Sequence, residues 1–127
     1  MMEGDGDAPV RVLLADDQPV FRDALRDVIL ATPGMTPVGE VDSGEAAVAA
    51  VAELAPRLVI MDKRMPGIGG VEAARRIRAL RPDVVVVLVS VEVPDQEVLD
   101  ASGAAAYINK RQLSPRTLTE LWRAYGS

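Results

Sequence analysis

The 127-residue sequence contains no cysteine and no histidine. The first absence excludes a disulfide framework and any thiolate-held metal. The second removes the usual zinc ligand and the commonest general base near neutral pH. Aromatic residues are scarce, with one Trp, two Tyr and one Phe, so a core must be built from Val, Leu, Ile and Ala. Positive charge is short as well. Fourteen Lys and Arg against nineteen Asp and Glu leave a formal net charge of −5, which argues against direct nucleic-acid binding, since that needs a basic face. No apolar run approaches the roughly 20 residues of a membrane-crossing helix. The opening MMEGDGDAP is polar and acidic rather than basic and then apolar, so no signal peptide is read. The expectation is a soluble, cytoplasmic, single domain without a membrane role. At 49% hydrophobic residues it has enough apolar surface for a core.

What is present alternates regularly. Residues 1–8 read as a flexible tail and 9–127 as the domain. A strand is expected over Val10–Ala15, then a helix over Pro19–Ala31 with Phe21, Leu25, Val28 and Ile29 at helical spacing, stopped by Pro33-Gly34. A weaker strand, Thr36–Val41, precedes an alanine-rich helix over Gly44–Leu54 capped by Ser43 and ended by Pro56. Leu58–Met61 reads as the third strand, with Asp62 at its end. A helix over Gly70–Leu80 is expected to bury Ala73, Ala74, Ile77 and Leu80. Val84–Val89 is uninterrupted and mostly β-branched, as in a strand buried on both faces. A short helix near 94–101, a strand over Ala104–Ile108 and a helix over Pro115–Tyr125 complete the pattern. Leu118, Leu121, Trp122 and Tyr125 share one face of that last helix. Successive βα units imply an α/β fold with a parallel five-stranded sheet covered on both faces.

Four of these strands end in polar groups: Asp16 and Asp17, Asp62, Ser90, and Lys110. In open parallel sheets, ligands bind outside the carboxyl ends of the strands. Three carboxylates, a hydroxyl and an ammonium gathered there suit a divalent cation and a phosphoryl group. Crowded carboxylates repel, so one takes up a proton unless a cation compensates. Mg²⁺ fits, because it takes oxygen ligands and keeps several waters. Each residue also has an ordinary reading. Asp16 and Asp17 could cap the first helix, Asp62 could serve the Met65-Pro66-Gly67 turn, Lys110 could be solvated, Ser90 could satisfy its own backbone, and Tyr107 could simply pack.

Taken together, LLADDQPVFRDAL, DKRMPG from Asp62, Ser90 closing the fourth strand, and SGAAAYINK ending at Lys110 make the chain resemble the receiver domains of bacterial two-component response regulators. The resemblance runs from Val10 to Tyr125. It implies a doubly wound (βα)5, flavodoxin-like fold with strand order 2-1-3-4-5. It also implies that Asp62 accepts the phosphoryl group, with Mg²⁺ held by Asp17, Asp62 and the Arg64 carbonyl, and by Asp16 through water. Lys110 and Ser90 would contact the phosphoryl oxygens, and Ser90, moving toward them, would vacate space that Tyr107 fills from outside. The expected donor is a sensor histidine kinase or a small phosphodonor, and the expected output is protein contact or self-association through the fourth helix, fifth strand and fifth helix. This makes the chain a signalling module rather than an enzyme. Two rival readings are a receiver that binds partners without phosphorylation and a Mg²⁺-dependent phosphatase of the haloacid-dehalogenase type. The second wants an Asp two residues after the nucleophile, where Arg64 stands.

The chain departs from the family pattern in four places. The stretch between Ser90 and Lys110 is about two residues short and contains Pro94, so the fourth helix should be short. Arg111 follows Lys110 in place of a common proline, so no cis peptide is expected there. Gly69 stands where an acidic residue is common. Lys63 and Arg64 set two cations beside the acceptor, which could draw in phosphate, alter the lifetime of the acyl phosphate, or simply point to solvent. The ending LSPRTLTELWRAYG resembles that of stand-alone receivers, whereas the LLADDQPVFRDAL segment resembles regulators that continue into a helix-turn-helix domain.

Overall fold

A computed structural model describes residues 8–126. The expected tail over residues 1–8 falls almost wholly outside them, as does Ser127. Strands β1 (Val10–Ala15), β2 (Met35–Val41), β3 (Leu58–Asp62), β4 (Val85–Ser90) and β5 (Ala106–Asn109) form one parallel sheet in the order β2-β1-β3-β4-β5. Helices α1 (Pro19–Leu30), α2 (Gly44–Leu54), α3 (Gly69–Leu80), α4 (Gln96–Ser102) and α5 (Pro115–Tyr125) connect and cover it, with a 3₁₀ turn at Lys110–Gln112. This is the doubly wound fold expected from the sequence.

The two faces of the sheet follow from the period-2 alternation of strand side chains. Val12 and Leu14 of β1 join Leu58, Ile60, Val85 and Val87 against α1 (Leu25, Ile29) and α5 (Leu118). Leu13 and Ala15 join Val59, Met61, Val86 and Leu88 against α2 (Ala47, Ala50, Val51) and α3 (Ala73, Ala74, Ile77). The alanines let α2 and α3 lie close to the sheet and to each other. Every residue of β3 and β4 is buried, as sheet centre strands must be when helices cover both faces.

β2 is an edge strand, and Pro37, which lacks an N–H donor, is tolerated there. The β1–β2 register slips between Val12 and Leu13, which pair with Pro37 and Gly39. Ser43 caps α2 as expected, accepting from the Ala46 N–H at 3.1 Å. Asp95 caps α4 in the same way, through Glu97 and Val98, so Pro94 lies just outside the helix. α4 is only seven residues long, in line with the shortened segment. Strand β5 starts two residues later than the sequence pattern suggests, at Ala106. No cis peptide occurs among the described residues. In place of proline, Asn109 caps the 3₁₀ turn, accepting from the Arg111 N–H at 2.9 Å.

Three apolar residues set on inward helix faces by their spacing are outside the core: Phe21, at the start of α1, and two at helix ends. Leu80 is 60% exposed and Tyr125 50% exposed. Both occupy the last turn of their helices, where the sheet no longer extends beneath them. Trp122 packs partly against the core and carries the Arg57 guanidinium 5.4 Å from its ring centre.

Candidate functional site

Strand register brings the predicted groups to one edge. Ala15 pairs with Met61, Asp62 with Val89, and Ser90 with Asn109. Asp16 and Asp62 therefore follow β1 and close β3 side by side, and Ser90 ends the next strand. Ligand oxygens of Asp16, Asp17 and Asp62 lie within 4.8 Å of one another. Asp16 and Asp62 are buried, whereas Asp17 faces solvent.

Each buried carboxylate divides its two oxygens between local structure and the site. Asp16 accepts the Gln18 N–H at 2.9 Å with Oδ1, and Asp62 accepts the Arg64 N–H at 3.1 Å with Oδ1. The remaining Oδ2 atoms both receive Lys110 Nζ, at 2.7 Å from Asp16 and 3.0 Å from Asp62. The Lys110 side chain is 6% exposed, which rules out a solvated lysine. A role at the start of α1 accounts for only part of the acidic pair, because Asp16 gives the Gln18 N–H one oxygen and keeps the other for the site. Asp62 does make a local turn bond, but only one of its oxygens is committed to it.

The loop after Asp62 is built around close backbone approach. The Lys63 N–H donates to the Val89 carbonyl at 2.9 Å, and the Gly70 N–H donates to the Lys63 carbonyl at 3.0 Å. A Cβ at Gly70 would sit 2.0 Å from the Asp62 carbonyl oxygen, so only glycine fits there. Burial pushes the Asp62 carboxyl above its ordinary range. The Arg64 N–H and the Lys110 ammonium draw it back, and the neighbouring charge of Asp16 adds to the rise.

Ser90 is buried, and its Oγ accepts the Glu92 N–H at 2.9 Å. Tyr107 is not outside the fold, as the expected switch would have it. The residue is 8% exposed and packed in the core on the α2–α3 face, and its hydroxyl is buried without a well-formed hydrogen bond. Pro94, Asp95, Gln96 and Leu99 line a small cleft with Tyr107 beside α4.

Two features escaped the sequence reading. Lys63 and Arg64 both pair with Glu92, at 2.6 and 2.7 Å; Lys63 is largely covered, whereas Arg64 remains on the solvent side. These two partners hold the Glu92 carboxyl down at about 2. Phe21, placed by its spacing on the same face of α1 as Leu25 and Ile29, lies over Lys110, with Nζ 3.7 Å from its ring centre. Glu92 stands two residues beyond Ser90 and Phe21 five beyond Asp16, but nothing in that spacing identifies their partners.

Buried carboxylates around one ammonium, at the carboxyl ends of parallel strands, form an anionic hole that suits an oxygen-seeking dication. Residues 12–123 match the response regulator receiver domain. The chain belongs to that family. The receiver is 41% identical over 103 residues to the response regulator GacA of Pseudomonas viridiflava, covering 80% of this chain and 48% of GacA. It is 35% identical over 117 residues to the transcriptional regulatory protein YxjL of Bacillus subtilis, covering 91% and 53%. The chain thus spans about half the length of these relatives. Among solved structures it is similar to the response regulator domain of Thermotoga maritima CheB, with TM-score 0.82, 30% identity and coverage of 94% and 98%. The receiver domain of NarL from Mycobacterium tuberculosis is also similar, with TM-score 0.80, 25% identity and coverage of 91% and 98%. Phosphorylation-dependent signalling in a bacterial two-component system is the general role of this family. Among the described residues, no helix of the receiver is long and apolar enough to cross a membrane.

Proposed function

We propose that this receiver takes a phosphoryl group on Asp62 from a sensor histidine kinase or a small phosphodonor in the cytoplasm. The modification then changes the surface formed by α4, β5 and α5. The observation that carries this reading is the buried Lys110 ammonium shared by Asp16 and Asp62. An ordinary ion pair has no need of a second carboxylate. A site that must keep two carboxylates ionised and then receive a phosphoryl group does.

The residues fit Mg²⁺. Asp17 and Asp62 would hold it directly, Asp16 through water and Arg64 through its carbonyl, and the ion would supply charge neutralisation for the incoming phosphate. One carboxylate oxygen of Asp62 attacks phosphorus, forming a P–O bond as the P–N bond of phosphohistidine, or the P–O bond of a small donor, breaks. The 127 residues contain no histidine, so the phosphohistidine of a kinase donor lies outside them. Lys110 exchanges a carboxylate oxygen for a phosphoryl oxygen, and the Ser90 hydroxyl donates to another.

The switch is a balance around Tyr107. Burying its ring is favourable, but its hydroxyl is buried with no hydrogen bond beyond a weak approach of the Lys63 ammonium, which costs up to about 1–3 kcal/mol. The inward position therefore competes closely with one in which the hydroxyl meets water. Movement of Ser90 toward the phosphoryl group alters that balance by as much as the phosphate's differential contacts allow. Output follows as self-association or partner binding through α4, β5 and α5.

Incubation with Mg²⁺ and acetyl phosphate, followed by intact mass measurement, tests the assignment. Wild type should gain one phosphoryl group and Asp62→Asn none. Absence of any adduct, or one that persists in Asp62→Asn, refutes it. With beryllofluoride in place of phosphate, the signals of Tyr107 and α4 should shift, and unchanged spectra would remove the switch.

A further inference from the structure

The Lys110 ammonium has three N–H donors and three partners. Two are Asp16 Oδ2 and Asp62 Oδ2, and the third is the face of Phe21, 3.7 Å from Nζ to the ring centre. Phe21 stands in the first turn of α1 and is only half-buried. The inward residues of that helix are Leu25 and Ile29, one and two turns further on. Its ring therefore lies over the site edge of the sheet, and with Val91, Asn109, Lys110 and Arg111 it lines a cleft of about 340 Å³.

We propose that Phe21 is a positioning residue for phosphoryl transfer, its ring face holding the Lys110 ammonium at the mouth of the site while that ammonium exchanges a carboxylate for a phosphoryl oxygen. This rests on the reading of Lys110 as the phosphoryl partner. The chemistry favours an aromatic face over the alternatives. Another carboxylate would anchor the ammonium and add negative charge where phosphate must enter. A hydroxyl or amide acceptor would bond in one direction only and resist movement. An aromatic quadrupole attracts a cation over a broad area, within about 6 Å of the ring centre. At 3.7 Å the ammonium has room to shift and remain held. Phe21 carries no group that can bond the phosphoryl oxygens, so its role runs through Lys110.

The test uses the fact that Phe21 is the sole phenylalanine in the sequence. Biosynthetic replacement of phenylalanine by its mono-, di- and trifluoro analogues changes this one ring, withdrawing charge from its face while keeping its shape. With acetyl phosphate and Mg²⁺, the phosphorylation rate should fall with each added fluorine and reach roughly a ten-fold loss at three. Phe21→Leu should lose at least as much. In the metal-free protein, the ¹⁹F signal of the monofluoro ring should shift on Lys110→Met. A rate constant across the fluorinated series, with only Phe21→Leu impaired, would reduce Phe21 to packing and overturn the proposal, as would a ¹⁹F signal indifferent to Lys110→Met. Failure of the unlabelled wild type to form any adduct would instead overturn the phosphoacceptor reading itself.

Discussion

Replacing Lys110 by methionine keeps the length and apolar stem of the side chain and deletes its charge. The side chains of Asp16, Asp62 and Lys110 are 2%, 9% and 6% exposed, so the change leaves two desolvated carboxylates facing each other without a cation. Breaking a buried ion pair by removing one partner costs about 3–5 kcal/mol. The lower end applies here, because the Asp62 carboxyl, already pushed up by burial and by Asp16, loses one of the two groups that draw it down and can shed its charge by taking a proton. For a domain of this size, about 3 kcal/mol corresponds to a fall in Tm of roughly 10–15 °C.

Two signatures separate this from a simple packing defect. The first is pH. A carboxyl whose folded value lies above its unfolded value of 3.8 binds protons more tightly when folded, so the penalty is complete above the folded value. It disappears as pH falls through that value toward 3.8. The Tm gap between Lys110→Met and wild type should therefore narrow between neutral pH and mildly acid pH. The second is metal. In wild type the ammonium occupies part of the anionic hole, whereas in Lys110→Met it does not, so millimolar Mg²⁺ should raise the Tm of the variant more than that of wild type. Differential scanning calorimetry at several pH values, with and without Mg²⁺, reads both. A loss below about 1 kcal/mol, or equal stabilisation of both proteins by Mg²⁺, would refute the account of the site as a charge-compensated hole.

Three further outcomes follow from single contacts. Glu92 is held at about 2 by Arg64 and Lys63, below its ordinary 4.5. The Tm advantage of wild type over Glu92→Gln should therefore be full above pH 4.5 and vanish as the pH falls through about 2; a pH-independent gap would deny the ion pairs. Gly70→Ala should destabilise by about 1–3 kcal/mol and weaken Mg²⁺ binding by calorimetric titration, because the Asp62 carbonyl must move. Unchanged Mg²⁺ affinity would show that this backbone does not set the site. Asp95→Ala should cost about 1 kcal/mol and speed amide exchange over Leu99–Gly103, and unaltered exchange there would mean that packing alone forms α4.

The architecture was legible because each strand and helix carries its own periodic signal. Val84–Val89, Leu58–Met61 and Val10–Ala15 read as buried strands, and Ser43 announces the start of α2 through its own side chain. β2 was the least legible, since Pro37 and Gly39 are poor strand formers. Pairing along β1 makes it a strand. The Asp16–Asp62–Lys110 constellation was legible as a set because parallel strands deliver their ends to one edge. Its internal wiring was not. The bond between Lys110 and Asp16 spans 94 residues of sequence, and the pairs that Glu92 makes lie 28 residues apart for Arg64. Neither can be read from local spacing.

The misplaced apolar residues share one physical cause. Phe21, Leu80 and Tyr125 all sit at the correct angle on their helices, yet none is in the core. Periodicity reports position around a helix axis and says nothing of position along it. Each of these residues lies in the first or last turn, where the helix extends past the strands that would cover it. At the far edge the overhang leaves Leu80 and Tyr125 in water. At the carboxyl edge the same overhang sets Phe21 above the one buried ammonium of the site. An apolar residue in the first turn of a helix that follows a strand-end carboxylate in a parallel sheet is therefore poorly described by its helical phase alone. Its chemistry is decided by what the neighbouring strands end in. Here they end in two buried carboxylates and a lysine, which is why an aromatic ring at position 21 has a charge to act on.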